Sequence, residues 1–313
     1  MAAYATRRSG SSFVPRGYVS PASDHAAGLD LTVVIAAYDA AATIDEQLDA
    51  LEAERWTGAW EVLVVDNGST DATAALVDAR AARWPRLRRV PATDRRGPAY
   101  ARNTGARAAR GRALAFCDAD DEVGPGWVAA MGTALGDHRF VCGPVELTTL
   151  NPTWLADSRG TTGTREAARF DGRFPFASSC NLGIDRETFL AMGGFDEDLL
   201  VGEDIDLSMR LHCAGTLLVF APAAVVHYRY RPTLRSTYER AVAYGAARPV
   251  IAERWRARAG EQVSRTAGVR NWAWLMRHSP LLRSRAGRAR WLWVAGQRVG
   301  SLRGSWRVGR VYL

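Results

Sequence analysis

Four short runs, three of them apolar and the third in order, Leu87-Arg88-Arg89-Val90, apolar only at its ends, are separated by segments of helical spacing between Leu31 and Asp118. They are Leu31–Ile35, Val62–Val65, Leu87–Val90 and Ala113–Phe116. The runs are nearly continuous rather than alternating, the pattern of strands buried on both faces of a parallel sheet. Thr43-Ile44-Asp45-Glu46 reads as a capping box, with Ile44, Leu48 and Leu51 following at helical intervals. A second helix is expected from about Asp71 to Ala82, and a third opens at Pro98 and closes by Gly111. Parallel strands joined by short helical crossovers imply an α/β fold of one hand. Ligands of such sheets bind outside the carboxyl ends of the strands. Tyr38-Asp39, Asp66, Gly97 and Asp118–Asp121 all fall at or just after those ends.

The fourth run ends in Cys117-Asp118-Ala119-Asp120-Asp121. A buried strand closing in three carboxylates is costly unless positive charge meets them. A divalent metal is one solution and a solvated acidic turn is the other. On an extended strand Asp118 and Asp120 share a side roughly 6.6 Å apart. One of them therefore binds an ion through water, or the chain turns sharply, and Asp121 faces away.

Beyond Cys142 the pattern weakens. Residues 148–176 are polar and read as an irregular or mobile segment of the kind that covers ligands. Order returns at Cys180–Ile184, with a turn at Gly193–Asp196, a short helix from Asp204 to Cys213, and strands near Leu217–Phe220 and Val225–Val226. Residues 1–29, rich in Ser, Ala, Gly and Arg, are expected to be a disordered lead-in without a signal peptide. The four cysteines have no paired spacing and read as buried free thiols, which fits a reducing cytoplasm.

Five blocks now stand in order. Val64-Val65-Asp66-Asn67-Gly68-Ser69-Thr70-Asp71 is followed by Arg102-Asn103-Thr104-Gly105 and by Asp118-Ala119-Asp120-Asp121. Gly193-Gly194-Phe195-Asp196-Glu197 and Gly202-Glu203-Asp204-Ile205-Asp206-Leu207 complete the set. Together they resemble the family 2 glycosyltransferases, over about residues 31–232. The resemblance implies the GT-A fold, a Rossmann-like, mainly parallel sheet flanked by helices, spanning residues 30–235. It implies a nucleotide-sugar site at Ala37, Tyr38, Asp39, Asp66, Gly97, Arg102, Asp118 and Ala119. Within that site Asp66 takes the base N3–H and Tyr38 stacks on the ring. The family's first block usually ends in Tyr-Asn, so Asp39 loses an amide donor. Asn181 and Glu203 fall on the acceptor side. Asp118, Asp120 and His227 become ligands of Mn²⁺ or Mg²⁺, which neutralises a departing diphosphate. Asp204 becomes the base of an inverting displacement. The same residues have plainer readings: a turn at Asp66–Gly68, an exposed helical Arg102, a structural His227 and an N-cap at Asp204 or Asp206.

Residues 228–313 carry 19 Arg against three acidic residues, while residues 1–227 carry 22 Arg against 30. This Arg- and Trp-rich extension, residues 236–313, is expected to be helical. Trp272, Trp274, Trp291 and Trp293 alternate with Arg, which suits an anionic membrane surface. Packing back onto the acidic part is the competing reading. No nucleic-acid module is visible. The expectation is a cytoplasmic transferase touching the inner membrane face. Its donor would be a uridine or thymidine diphosphate sugar, and its acceptor a lipid-linked glycan or small molecule. A sugar-phosphate nucleotidyltransferase would need a Gly-rich loop after the first strand, where Ala36-Ala37-Tyr38-Asp39 stands. An inactive scaffold would have lost charged site residues, and none is obviously missing.

Overall fold

The computed structural model describes residues 28–159, 164–260 and 268–312. The disorder expected over residues 1–29 falls on residues outside these up to 27, and Leu29 already stands in the first strand. In chain order the elements begin β1 (Leu29–Ala37), α1 (Ile44–Ala53), β2 (Trp60–Asp66), α2 (Thr73–Ala81), β3 (Leu87–Pro91), α3 (Pro98–Ala108) and β4 (Gly111–Asp118). There follow β5 (Glu122–Val123), α4 (Trp127–Asp137), β6 (Phe140–Cys142), β7 (Val145–Glu146), α5 (Thr153–Ala156), β8 (Ala168–Phe170) and β9 (Phe174–Phe176). The rest are β10 (Leu182–Asp185), α6 (Arg186–Ala191), α7 (Glu203–Cys213), β11 (Val219–Phe220), β12 (Val226–His227), α8 (Leu234–Ala259), α9 (Val269–Arg277) and α10 (Arg285–Val308).

Seven strands form the main sheet in the order β11-β6-β10-β4-β1-β2-β3. The pairings β1–β2, β1–β4 and β2–β3 are parallel, and β10 runs antiparallel to both its neighbours. The chain leaves β1 toward β2 and β3, then returns to place β4 on the other side. This reversal opens a crevice at the carboxyl ends of β1 and β4. Register fixes what lines it, because Ala36 pairs with Asp118 and Ala37 with Asp66. Along β1, Val33 and Ile35 face the core shared with α1, α2 and α4, while Val34 faces α3, α6 and α7. Both faces are covered, which is why the runs read as continuously apolar.

Gly111 begins β4 rather than closing α3. A Cβ there would lie 2.4 Å from the Thr32 nitrogen, so only glycine allows β4 to start beside β1. Thr43 precedes α1 without capping it, and its hydroxyl instead donates to the Ala119 carbonyl at 3.0 Å. The polar segment after Cys142 is more ordered than its composition suggests, holding α5 and the β8–β9 hairpin. Three of the four cysteines are buried, and Cys213 is exposed.

The basic extension folds back on the acidic part of the chain. Phe174 and Trp255 rings lie 4.7 Å apart in a cluster with Met209, Ile251 and Tyr312. Asp206, 1% exposed, receives Arg210 from its own helix and Arg254 and Arg258 from α8. That network, rather than an N-cap, is the job of Asp206. Three cations offset the cost of burying one carboxylate.

Candidate active site

The crevice is built by loops that tie one another in place. Asp39, at a φ of 47°, turns the chain after β1. Its Oδ1 accepts from the Thr70 amide at 2.7 Å and the Thr70 hydroxyl at 3.2 Å. These bonds, the Thr70 amide first, hold its carboxyl below the usual carboxylate range. Asp71 returns the tie, accepting from the Ala41 amide at 2.9 Å. Asp39 thus clamps the first loop to the second. Tyr38 stands 49% exposed beside it, with the Arg96 guanidinium 4.4 Å from its ring centroid.

Asp66 ends β2 with Oδ1 accepting from the Ser69 amide at 2.9 Å and Oδ2 3.6 Å from Arg89. Asn67 pins the third loop. Its amide donates to the carbonyls of Ala92 and Arg95, and its oxygen accepts from the Gly97 amide at 2.8 Å. Gly97 has a φ of 137°, a conformation closed to most side chains, and leads into α3. Ala37 and Ala119 are buried under these loops.

After Asp118 the strand does not stay extended. A turn over residues 119–121 brings one carboxylate oxygen each of Asp118, Asp120 and Asp121 within 4.8 Å of one another. Asp121 therefore joins the group from which an extended strand would exclude it. It is 1% exposed, and its Oδ1 accepts from the Arg229 amide at 2.8 Å. Its Oδ2 is buried without a partner among the described residues. Burial, and then the neighbouring Asp118 and Asp120, push its carboxyl well above the usual range. Asp120 is raised in the same way, by burial and Asp118. A buried oxygen with no donor, in a set of hard oxygen ligands, fits a divalent cation.

Arg102 connects this turn to α7. It is 4% exposed; Nη2 donates to Asp118 Oδ1 at 2.6 Å and Nη1 to Glu203 Oε1 at 3.0 Å. Its charge is held firmly: burial opposes it, but Asp118, Glu203 and Asp204 outweigh burial. Asp204 sits one residue into α7, whose N-cap is Gly202 at a φ of 87°. Its Oδ2 accepts from the Ser179 amide at 3.2 Å and its Oδ1 from the Ile205 amide at 2.8 Å. Burial first, and the adjacent Glu203 second, lift its carboxyl to about 7. The helix end does not win here: desolvation and a like charge outweigh the dipole. A carboxyl poised near neutrality suits general base chemistry.

Two expected site residues stand elsewhere. Asn181 is 1% exposed, donating to Pro144 and Ala224 carbonyls and accepting from Trp127 Nε1. All three bonds are internal, so it braces the core and does not face an acceptor. His227 lies on β12 with Nδ1 3.0 Å from Glu146 Oε2, and it is not among the clustered carboxylates. Burial pushes the Glu146 carboxyl up, but hydrogen bonds from Thr148, Thr149 and His227 hold it well below the usual range. Arg229, and Asn67 and Asn103 inside the matched blocks, have roles that the sequence alone does not assign. Asn103 accepts from the Phe195 amide at 2.9 Å and donates to the Phe195 carbonyl and Glu197 at 2.8 Å each. The signal for Arg229 was its place in Tyr228-Arg229-Tyr230-Arg231, an aromatic and basic run after a strand.

Comparison with known proteins agrees with this geometry. The family described as "Glycosyl transferase family 2" matches residues 32–192, and "Glycosyl transferase family group 2" matches residues 118–303. The succinoglycan biosynthesis protein ExoO of Rhizobium meliloti is 33% identical over 213 residues, covering 64% of this chain and 60% of that one. The chain thus spans less than two thirds of that relative. Among solved structures, the mannosyltransferase PcManGT from Pyrobaculum calidifontis, in complex with GDP-Man and Mn²⁺, superposes with a TM-score of 0.61 at 21% identity. That match covers 90% of this chain and 88% of the other. S. aureus TarS 1–349 in complex with UDP-GlcNAc gives 0.54 at 17% identity, covering 91% and 93%. These two likenesses establish the GT-A fold.

Proposed function

Because the chain belongs to glycosyl transferase family 2, we propose that it moves a sugar from a nucleoside-diphosphate sugar to an acceptor hydroxyl in one inverting displacement, with Asp204 as the base. The observation that carries this reading is the Asp204 carboxyl at about 7, linked through Glu203 and Arg102 to the Asp118 turn.

The residues divide the work. Tyr38 offers an open ring for the base to stack on, and Asp66 an acceptor for the N3–H of uracil or thymine. Displacing Arg96 from the Tyr38 face accompanies that stacking. Asp118, Asp120 and Asp121 would hold Mn²⁺ or Mg²⁺, which when bound supplies positive charge against the departing diphosphate. Asp204 takes the proton of the acceptor hydroxyl as its oxygen bonds to the anomeric carbon. The bond from that carbon to the diphosphate breaks, and its electron pair leaves with the diphosphate. Arg102 keeps Asp118 and Glu203 charged and in register. The acceptor is a lipid-linked glycan or a small molecule.

A membrane-surface contact is a further part of this reading. No helix among the described residues is long and apolar enough to cross a membrane. On α9, Met276 is 81% exposed and Trp272 38%, flanked by Arg270 and Arg277, a pairing suited to anionic lipid. Sedimentation with anionic vesicles, lost in a Trp272→Ala/Met276→Ala variant, tests it.

The transfer reading is tested by incubating the protein with a divalent ion, a panel of sugar nucleotides and glycan or small-molecule acceptors. A product of inverted anomeric configuration is expected. A retained configuration, or no transfer and no donor hydrolysis across the panel, would count against it.

A further inference from the structure

Two cations, Arg159 and Arg240, meet aromatic rings where Arg102 of the site meets carboxylates. Arg159 follows α5, and its Nε and Nη1 are buried with no hydrogen-bond partner among the described residues. Its guanidinium lies 3.6 Å from the Trp293 ring centroid and 4.9 Å from that of Tyr230. Arg240, on α8, lies 5.6 Å from the Tyr244 centroid and donates to the Tyr244 hydroxyl at 3.3 Å. Tyr244 packs edge-on to Trp293 at 5.8 Å, and Tyr228 edge-on to Tyr230 at 5.1 Å. The two guanidinium groups are close enough to repel one another. Arg240 is also within electrostatic reach of Asp118 and Asp120, and Tyr244 of Asp204. Neither Arg forms an ion pair with a carboxylate among the described residues, unlike Arg102, Arg248, Arg254 and Arg258.

Burying unpaired like charges is unfavourable, and aromatic faces compensate only in part. An anion between the forks would satisfy both. We propose that Arg159 and Arg240, walled by Tyr228, Tyr230, Tyr244 and Trp293, form a subsite for a phosphate group carried by the acceptor. The inference rests on the transferase reading. It places the phosphate among residues of the α5, α8 and α10 region, none of which belongs to the Tyr38 and Asp66 loops assigned to the nucleotide. The aromatic walls provide stacking surface for the sugar or ring that bears it.

The test fills the donor site first. With UDP and Mg²⁺ saturating, inorganic phosphate is titrated into the full-length protein by calorimetry. Saturable binding is expected, weakened about tenfold by Arg159→Gln and by Arg240→Gln, while UDP affinity changes less than about twofold. Arg159→Lys, which keeps the charge but not the fork, is expected to fall between. UDP binding without phosphate binding in the wild type would overturn the subsite alone, whatever the variants do. Equal losses of UDP and phosphate affinity would assign the two cations to the donor diphosphate and overturn it as well. A wild type that binds none of UDP, dTDP and GDP would contradict the transferase reading and this subsite together.

Discussion

The Arg102 guanidinium donates to Asp118 at 2.6 Å while its other arm holds Glu203 at 3.0 Å, from a position only 4% exposed. One buried cation thus joins the proposed metal turn to the proposed base. Removing one partner of a buried pair leaves the other charge uncompensated, at a cost of about 3–5 kcal/mol. Arg102→Ala is expected to lose about that much stability in urea unfolding, and transfer with it. Arg102→Lys should lose less stability but keep little activity, because a point charge cannot span two carboxylates. An Arg102→Ala protein of unchanged stability would contradict the bridge.

Asp121 offers a test that needs no substrate. Its buried Oδ2, without a partner among the described residues, is a desolvated acceptor that a bound cation would satisfy. Mn²⁺ at a hundredfold excess over its Kd should stabilise the wild type by about 2.7 kcal/mol. Asp121→Asn should be the more stable of the two without metal and show little Mn²⁺ response. Equal Mn²⁺ shifts in both proteins would remove Asp121 from the ligand set.

Asp204 sets the pH response. Its folded-state carboxyl is raised to about 7, so the proton is held below that pH and the group is a competent base only above it. The kcat/KM for transfer is expected to fall about tenfold per pH unit on the acid side. Stability runs the opposite way: a raised carboxyl favours the folded state when protonated, a contribution fully present below the ordinary carboxylate range and lost as pH rises through about 7. A flat rate profile from pH 5 to 8 would exclude the assignment.

Asn67 organises the loop at Gly97 through three hydrogen bonds. Asn67→Ala should raise the KM for the donor with a smaller change in kcat, and cost roughly 1–3 kcal/mol of stability. A kcat effect alone would place Asn67 in the chemistry instead.

The parallel core was legible because burial on both faces writes continuous apolar runs, and the strand ends therefore pointed to the crevice. Asp118 and Asp66 stand at that crevice for the same reason, whereas Asp204, in the first turn of α7, was legible only through the resemblance of its block. What could not be read was whatever depends on contacts between distant segments. Asp121 enters the cluster through a turn that a strand-based spacing does not contain. Asn181 looks like any polar residue after a loop, yet three internal bonds commit it to the core. His227 goes to Glu146, a partner 81 residues away. The basic extension showed its charge but not its destination, since nothing local to Asp171, Asp196 or Asp206 says that the Arg side chains of α8 will reach them.

Replacing Asp204 with Asn tests the central claim most directly, because the change removes the base while preserving size and the Ser179 contact. Single-turnover transfer should fall by at least about a thousandfold, with UDP-sugar affinity and the melting temperature close to those of the wild type. Transfer at a wild-type rate in Asp204→Asn would contradict the mechanism.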